Sequence, residues 1–78
     1  MTATDPRIFD ALAHAGINYD AENFSPNQSF RGNGIDSLDV MSLFLTLEEK
    51  FETKFSESEA SAIRTPVDLT AALNKKLE

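Results

Sequence analysis

The chain has no cysteine, no tryptophan, one histidine and only three glycines in 78 residues. Without cysteine, neither disulfides nor a thiolate metal site can supplement the core, and the lack fits a reducing compartment. A single histidine, His14, with no thiol beside it gives no nucleophile and base in one pattern. His14 falls near the end of the first predicted helix, where a protonated imidazole complements the dipole. Basic residues are also scarce, seven against thirteen acidic, for a formal charge of −6. Such a surface repels nucleic-acid phosphates and anionic headgroups, and suits either solubility or partners with basic docking patches. The longest nearly apolar stretch, Leu43 to Leu47, is far too short to span a bilayer. Met1 to Pro6 shows no basic start followed by an apolar run, so no signal peptide is expected. These absences predict a soluble, cytoplasmic protein with no nucleic-acid partner and no stable membrane insertion.

The length suits a single domain over residues 1–78, with a small core. Four segments carry helix signals and none reads as a strand. The first runs from Pro6 to Ala15, capped by Thr4 or Asp5, with Pro6 at its first position and Gly16 as its stop. From Ile17 to Asp36 the pattern dissolves into a long loop with Tyr19, Phe24 and Phe30 as anchors. The second helix, Ser37 to Thr53, opens on Asp36 and Asp39, and Val40, Phe44, Leu47 and Phe51 form a core-facing stripe. Leu38, Met41 and Leu45 make a second apolar row beside it, wider than burial in a small bundle requires. Ser56 and Glu59 form a capping box for a short helix ending near Ile63. Thr65-Pro66-Val67-Asp68 repeats the start signal for a last helix lined by Leu69, Leu73 and Leu77. The expected fold is therefore all-α, a small bundle of three longer helices and one short third helix.

No catalytic or metal-ligating set emerges. Asp20, Glu22 and Asn23 gather oxygens but lack the glycine and terminal glutamate of an EF-hand loop. Glu48 and Glu49 read as a solvated helix surface. The distinctive segment is Gly34-Ile35-Asp36-Ser37-Leu38, in which a glycine turns the backbone and a serine opens a helix. The free N–H groups and the dipole there favour a phosphate. Serines are common at helix starts, so on the residues alone Ser37 reads as an ordinary first-turn serine.

This segment resembles the Gly-x-Asp-Ser-Leu signature of acyl carrier proteins. Asn27 to Phe30 is similar to that family's loop before the signature, Leu47 to Glu52 to the end of its second helix, and Thr65 to Leu69 to the start of its last. The resemblance implies that Ser37 receives 4′-phosphopantetheine from coenzyme A, and that Asp36 assists the phosphopantetheinyl transferase, which brings its own magnesium. It implies a cytoplasmic carrier, not an enzyme, that is monomeric and holds acyl groups as thioesters. It implies delivery to loading, synthase or transferase enzymes of fatty-acid, polyketide or related lipid metabolism. Partner contacts would fall on Leu38, Asp39, Met41, Leu45, Glu48 and Glu49, with Glu57 and Glu59 extending the acidic surface. Phe9, Phe30, Val40, Phe44, Leu47, Ile63 and Leu73 are candidate walls for a sheltered acyl chain.

The sequence departs from the family pattern. The segment Phe30-Arg31-Gly32-Asn33-Gly34 is less acidic than usual and lacks the leucine commonly found before the motif glycine, and Ser42 and Lys50 stand where fatty-acid carriers usually show acids. These departures suggest a dedicated carrier for a specialised pathway. The alternatives are an aminoacyl or peptidyl carrier, and an unmodified helical adaptor that binds partners through its acidic second helix.

Overall fold

The computed structural model describes residues 5–20 and 22–77. Each of its four helices begins where a side chain accepts hydrogen bonds from the unpaired N–H groups of the first turn. The Asp5 carboxylate accepts from the Arg7 N–H at 2.9 Å to open α1 (Pro6–His14), with Pro6 at the start. Thr4, the other candidate cap, lies outside the described residues. Gly16 then turns the chain with φ of +70°. The Asp36 carboxylate accepts from the Asp39 N–H at 2.9 Å to open α2 (Ser37–Phe51). Ser56 and Glu59 cap α3 (Glu57–Ala62) reciprocally. Thr65 Oγ1 accepts from the Asp68 N–H at 3.1 Å ahead of α4 (Pro66–Leu77). The Asp68 carboxylate in turn accepts from the Arg64 and Thr65 N–H groups. Among the described residues the fold is all-helical, a small four-helix bundle.

The helices converge on one core. Ile8, Ala11 and Leu12 from α1 meet Leu43 and Leu47 from α2 and Leu69 and Leu73 from α4, all fully buried. Ile17, Phe30, Ile35 and Ile63 seal the gaps from the connecting segments. Burial of each large aliphatic side chain contributes on the order of 1.5–3 kcal/mol, so the bundle rests on a few such residues.

Three sequence expectations need correction. α2 stops two residues short of Thr53, because Glu52 takes a left-handed conformation with φ of +50° and ends the helical ladder. Its buried line is Leu43 and Leu47, while Val40, Phe44 and Phe51 flank that line half-buried. The row expected to face the core does so, and Leu43, which belongs to neither apolar row, joins Leu47 at its centre. Leu77 does not complete the α4 stripe and is 42% exposed, one turn beyond Leu73, the last core residue in the chain. The loop between α1 and α2 is not wholly irregular. It holds a short 3-10 turn, Arg31–Asn33, built around the fully buried polar side chain of Asn33.

Candidate functional site

The segment leading to Ser37 is anchored on two sides before the helix begins. The Phe30 N–H donates to the Arg64 carbonyl at 3.1 Å, and the Val67 N–H donates to the Pro26 carbonyl at 3.0 Å. Together these bonds fasten the loop to the connection between α3 and α4. On the other side, the Asp20 N–H donates to the Asn33 carbonyl at 3.1 Å. Gly34 comes next with φ of +84°, and a Cβ there would stand only 3.3 Å from the Asp20 nitrogen. Only glycine meets both the conformation and the close approach without strain. Ile35 then drops into the core and donates its N–H to the Phe30 carbonyl at 2.9 Å.

Ser37 emerges from this frame as the first residue of α2, with an exposed side chain. Among the described residues nothing accepts from or donates to its hydroxyl. The Asp39 N–H is taken by the Asp36 carboxylate, while those of Ser37 and Leu38 point out of the helix start without an acceptor among the described residues. An esterified phosphate on Ser37 would meet free N–H groups and the positive end of a fifteen-residue helix. The residues present fit such a group.

Beyond Ser37, Leu38, Met41 and Leu45 stand in a row on the outer face of α2, exposed by 75%, 62% and 58%. Of the acidic residues singled out from the sequence, Asp36, Glu49 and Glu57 are exposed and Asp39 is half-buried. Two others are engaged in contacts within the bundle. The Glu48 carboxylate accepts from the Phe55 N–H at 2.7 Å, closing the turn after α2. Glu59 caps α3 and pairs with Lys76, and those partners, Lys76 foremost, hold its carboxyl down from 4.5 to about 2. Lys50, on the opposite side of α2, lies 4.0 Å from Asp10 of α1.

The expected acyl-chain walls are packed as core or lie half-buried against it. Only Ile63 among them lines the cavity of about 300 Å³ between α3 and α4, whose other apolar walls are Ala62, Ala71 and Ala72. Sequence reasoning also passed over Asn33 as a structural centre. The one signal was an asparagine standing where the family pattern has leucine.

The sequence pattern of the phosphopantetheine attachment site matches residues 11–73, which include the Ser37 segment and all of α2 and α3. That match defines a carrier domain of the kind that holds a covalent 4′-phosphopantetheine. The chain is 33% identical over 76 residues to an acyl carrier protein of Syntrophobacter fumaroxidans, covering 96% of this chain and 93% of that protein. It is 28% identical over 78 residues to acyl carrier protein 3 of Ralstonia nicotianae, covering 95% and 90%. An acyl carrier protein of Chlamydia felis is 41% identical over 54 residues, 68% of this chain and 69% of that protein. The chain belongs to the acyl carrier protein family. Its members are carriers rather than enzymes, served by phosphopantetheinyl transferases, synthases and acyl transferases.

Proposed function

We propose that residues 1–78 act as one carrier domain, that Ser37 is its attachment point, and that Asp36 assists the transferase that modifies it. The observation that carries this reading is the exposed, unpartnered Ser37 hydroxyl at the start of α2, within a segment fastened on both sides. Bound there, the arm supplies the thiol that this cysteine-free chain lacks and on which acyl groups travel as thioesters. The chain's own residues hold the attachment point outward and present a recognition face. We assign that face to Leu38, Met41 and Leu45, rimmed by Asp39, Glu49 and Glu57, which suits an apolar patch surrounded by basic residues on the partner enzymes. Glu48 and Glu59 hold the scaffold behind it. Asn33, Ser42 and Lys50, which depart from the pattern of fatty-acid carriers, support service in a dedicated biosynthetic pathway. The reading includes a cytoplasmic, monomeric carrier.

The test is an intact mass after incubation with coenzyme A and a broad-specificity phosphopantetheinyl transferase, with Ser37→Ala alongside. One phosphopantetheine on the wild type and none on the variant is the expected result. A folded wild type left unmodified by several transferases would return the chain to the adaptor reading.

A further inference from the structure

Asn33 is fully buried in an otherwise apolar interior, and both polar atoms of its carboxamide are hydrogen-bonded. Its Oδ1 accepts from the Ser25 N–H at 2.8 Å. Its Nδ2 donates to the carbonyls of Ser25 at 2.9 Å, Ser29 at 3.1 Å and Gln28 at 3.2 Å. The backbone of the same residue donates to Ser29 and Phe30 and accepts from Asp20. One side chain thus gathers the turn at 25–29, while its main chain joins that turn to the segment after α1. A leucine here could fill space but could bind none of these groups, and would leave the Ser25 N–H without its partner.

The approach to Ser37 begins directly after Asn33. Gly34 has its left-handed turn, Ile35 is pinned to Phe30, and Asp36 caps α2. Gly34 and Ile35 lose their anchors if the turn at 25–33 opens, because those anchors, Arg31 and Phe30, belong to that turn, and Asp36 follows Ile35 directly in the chain. We propose that Asn33 is a positioning residue for Ser37, a polar staple that keeps the attachment serine in the geometry the transferase captures. This rests on Ser37 being the attachment point. The role is specific to the carboxamide. It replaces packing by a set of directional bonds, so it fixes the orientation of the loop as well as its depth.

The test compares wild type with Asn33→Asp, which keeps size and oxygen acceptors but loses the N–H donors, and Asn33→Leu, which loses every bond. Circular dichroism first sets an assay temperature at which each variant is fully folded. Transfer from coenzyme A by a broad-specificity phosphopantetheinyl transferase is then measured, together with hydrogen exchange at the Ser25, Asn33 and Ile35 amides. A transferase that captures only the closed loop meets a smaller competent fraction, so KM for the variant carriers should rise about tenfold while kcat stays within roughly twofold. Amide exchange at those three positions should quicken, with Leu73 in α4 unchanged. A merely structural asparagine would lower the melting temperature and leave KM alone. Wild-type KM in both folded variants overturns the proposal. Should neither variant fold, exchange in the wild type decides, and unprotected Ser25 and Ile35 amides would overturn it. A wild type that is folded, loop-protected and unmodified overturns the assignment of Ser37 instead, and leaves the staple with nothing to position.

Discussion

The Nζ of Lys76 stands 2.8 Å from the Glu59 carboxylate, tying the last turn of α4 back to α3. α3 needs that tie. It is six residues long, contributes no fully buried side chain, and could not persist as an isolated helix. The same ammonium lies 5.6 Å from the ring centre of Phe55, which stacks on Phe44 of α2 at 5.4 Å. One lysine therefore joins three elements of the bundle.

Replacing that lysine isolates its contribution. Lys76→Met keeps the aliphatic stem and removes the ion pair and the cation–π contact. Amides of α3 should exchange markedly faster and the melting temperature should fall by a few degrees, while α1 amides keep their protection. Equal loss of protection in α1 and α3 would mean that Lys76 supports the whole bundle.

Acid should act on the same pair. The folded-state pKa of Glu59 is depressed from 4.5 to about 2, so its contribution is full above the ordinary value and is lost as pH falls towards the lower one. The difference in melting temperature between wild type and Glu59→Gln should be constant from neutrality down to about pH 4.5 and should close near pH 2. Asp5, also depressed chiefly by its hydrogen bond to Arg7, is present in both proteins and cancels. A difference that persists unchanged at pH 2 would assign the effect to the amide rather than to lost charge.

Two leucines two residues apart on α2 should separate stability from recognition. Leu47 is fully buried, and Leu47→Ala should cost about 2–5 kcal/mol. A domain of this size has only about 4–12 kcal/mol in total. Leu45 is 58% exposed, so Leu45→Ala should alter stability by no more than about 0.5 kcal/mol. On the proposed docking face, it should nonetheless slow phosphopantetheinyl transfer. Urea unfolding and the transfer assay on the same samples distinguish the two.

The two left-handed glycines should differ in sensitivity. A methyl group added at Gly16 would meet open space, so Gly16→Ala carries only the conformational cost, about 1 kcal/mol. Gly34 adds the close approach to Asp20, and Gly34→Ala should cost more than Gly16→Ala in urea unfolding. Equal costs would show that the loop gives way easily.

The helix starts were legible in the sequence because capping is local. Asp5, Asp36, Ser56 and Thr65 each bind N–H groups two or three residues ahead, and a short window holds both partners. The start of α2 at Ser37 was legible for the same reason, whereas the role proposed for that serine was legible only through the family resemblance of residues 34–38. The direction of α2 was legible as well, since Val40, Phe44, Leu47 and Phe51 pack on the core and Leu38, Met41 and Leu45 stay exposed, but Leu43, which belongs to neither row, is selected only by its packing in the core. Asn33 was hidden more deeply. Its partners are carbonyls and an N–H of the main chain, which every sequence has, so no residue type announces them.

Tyr19 is the chain's one tyrosine and there is no tryptophan to outshine it. Its ring sits 5.9 Å from Phe9 on α1 and 5.4 Å from Phe24 in the loop, centre to centre. The molecule thus carries a built-in optical probe at the seam between helix and loop. Ultraviolet emission from this phenol reports whether the loop is seated, while the helical signal reports the bundle, and the two can be followed in the same cuvette without any label.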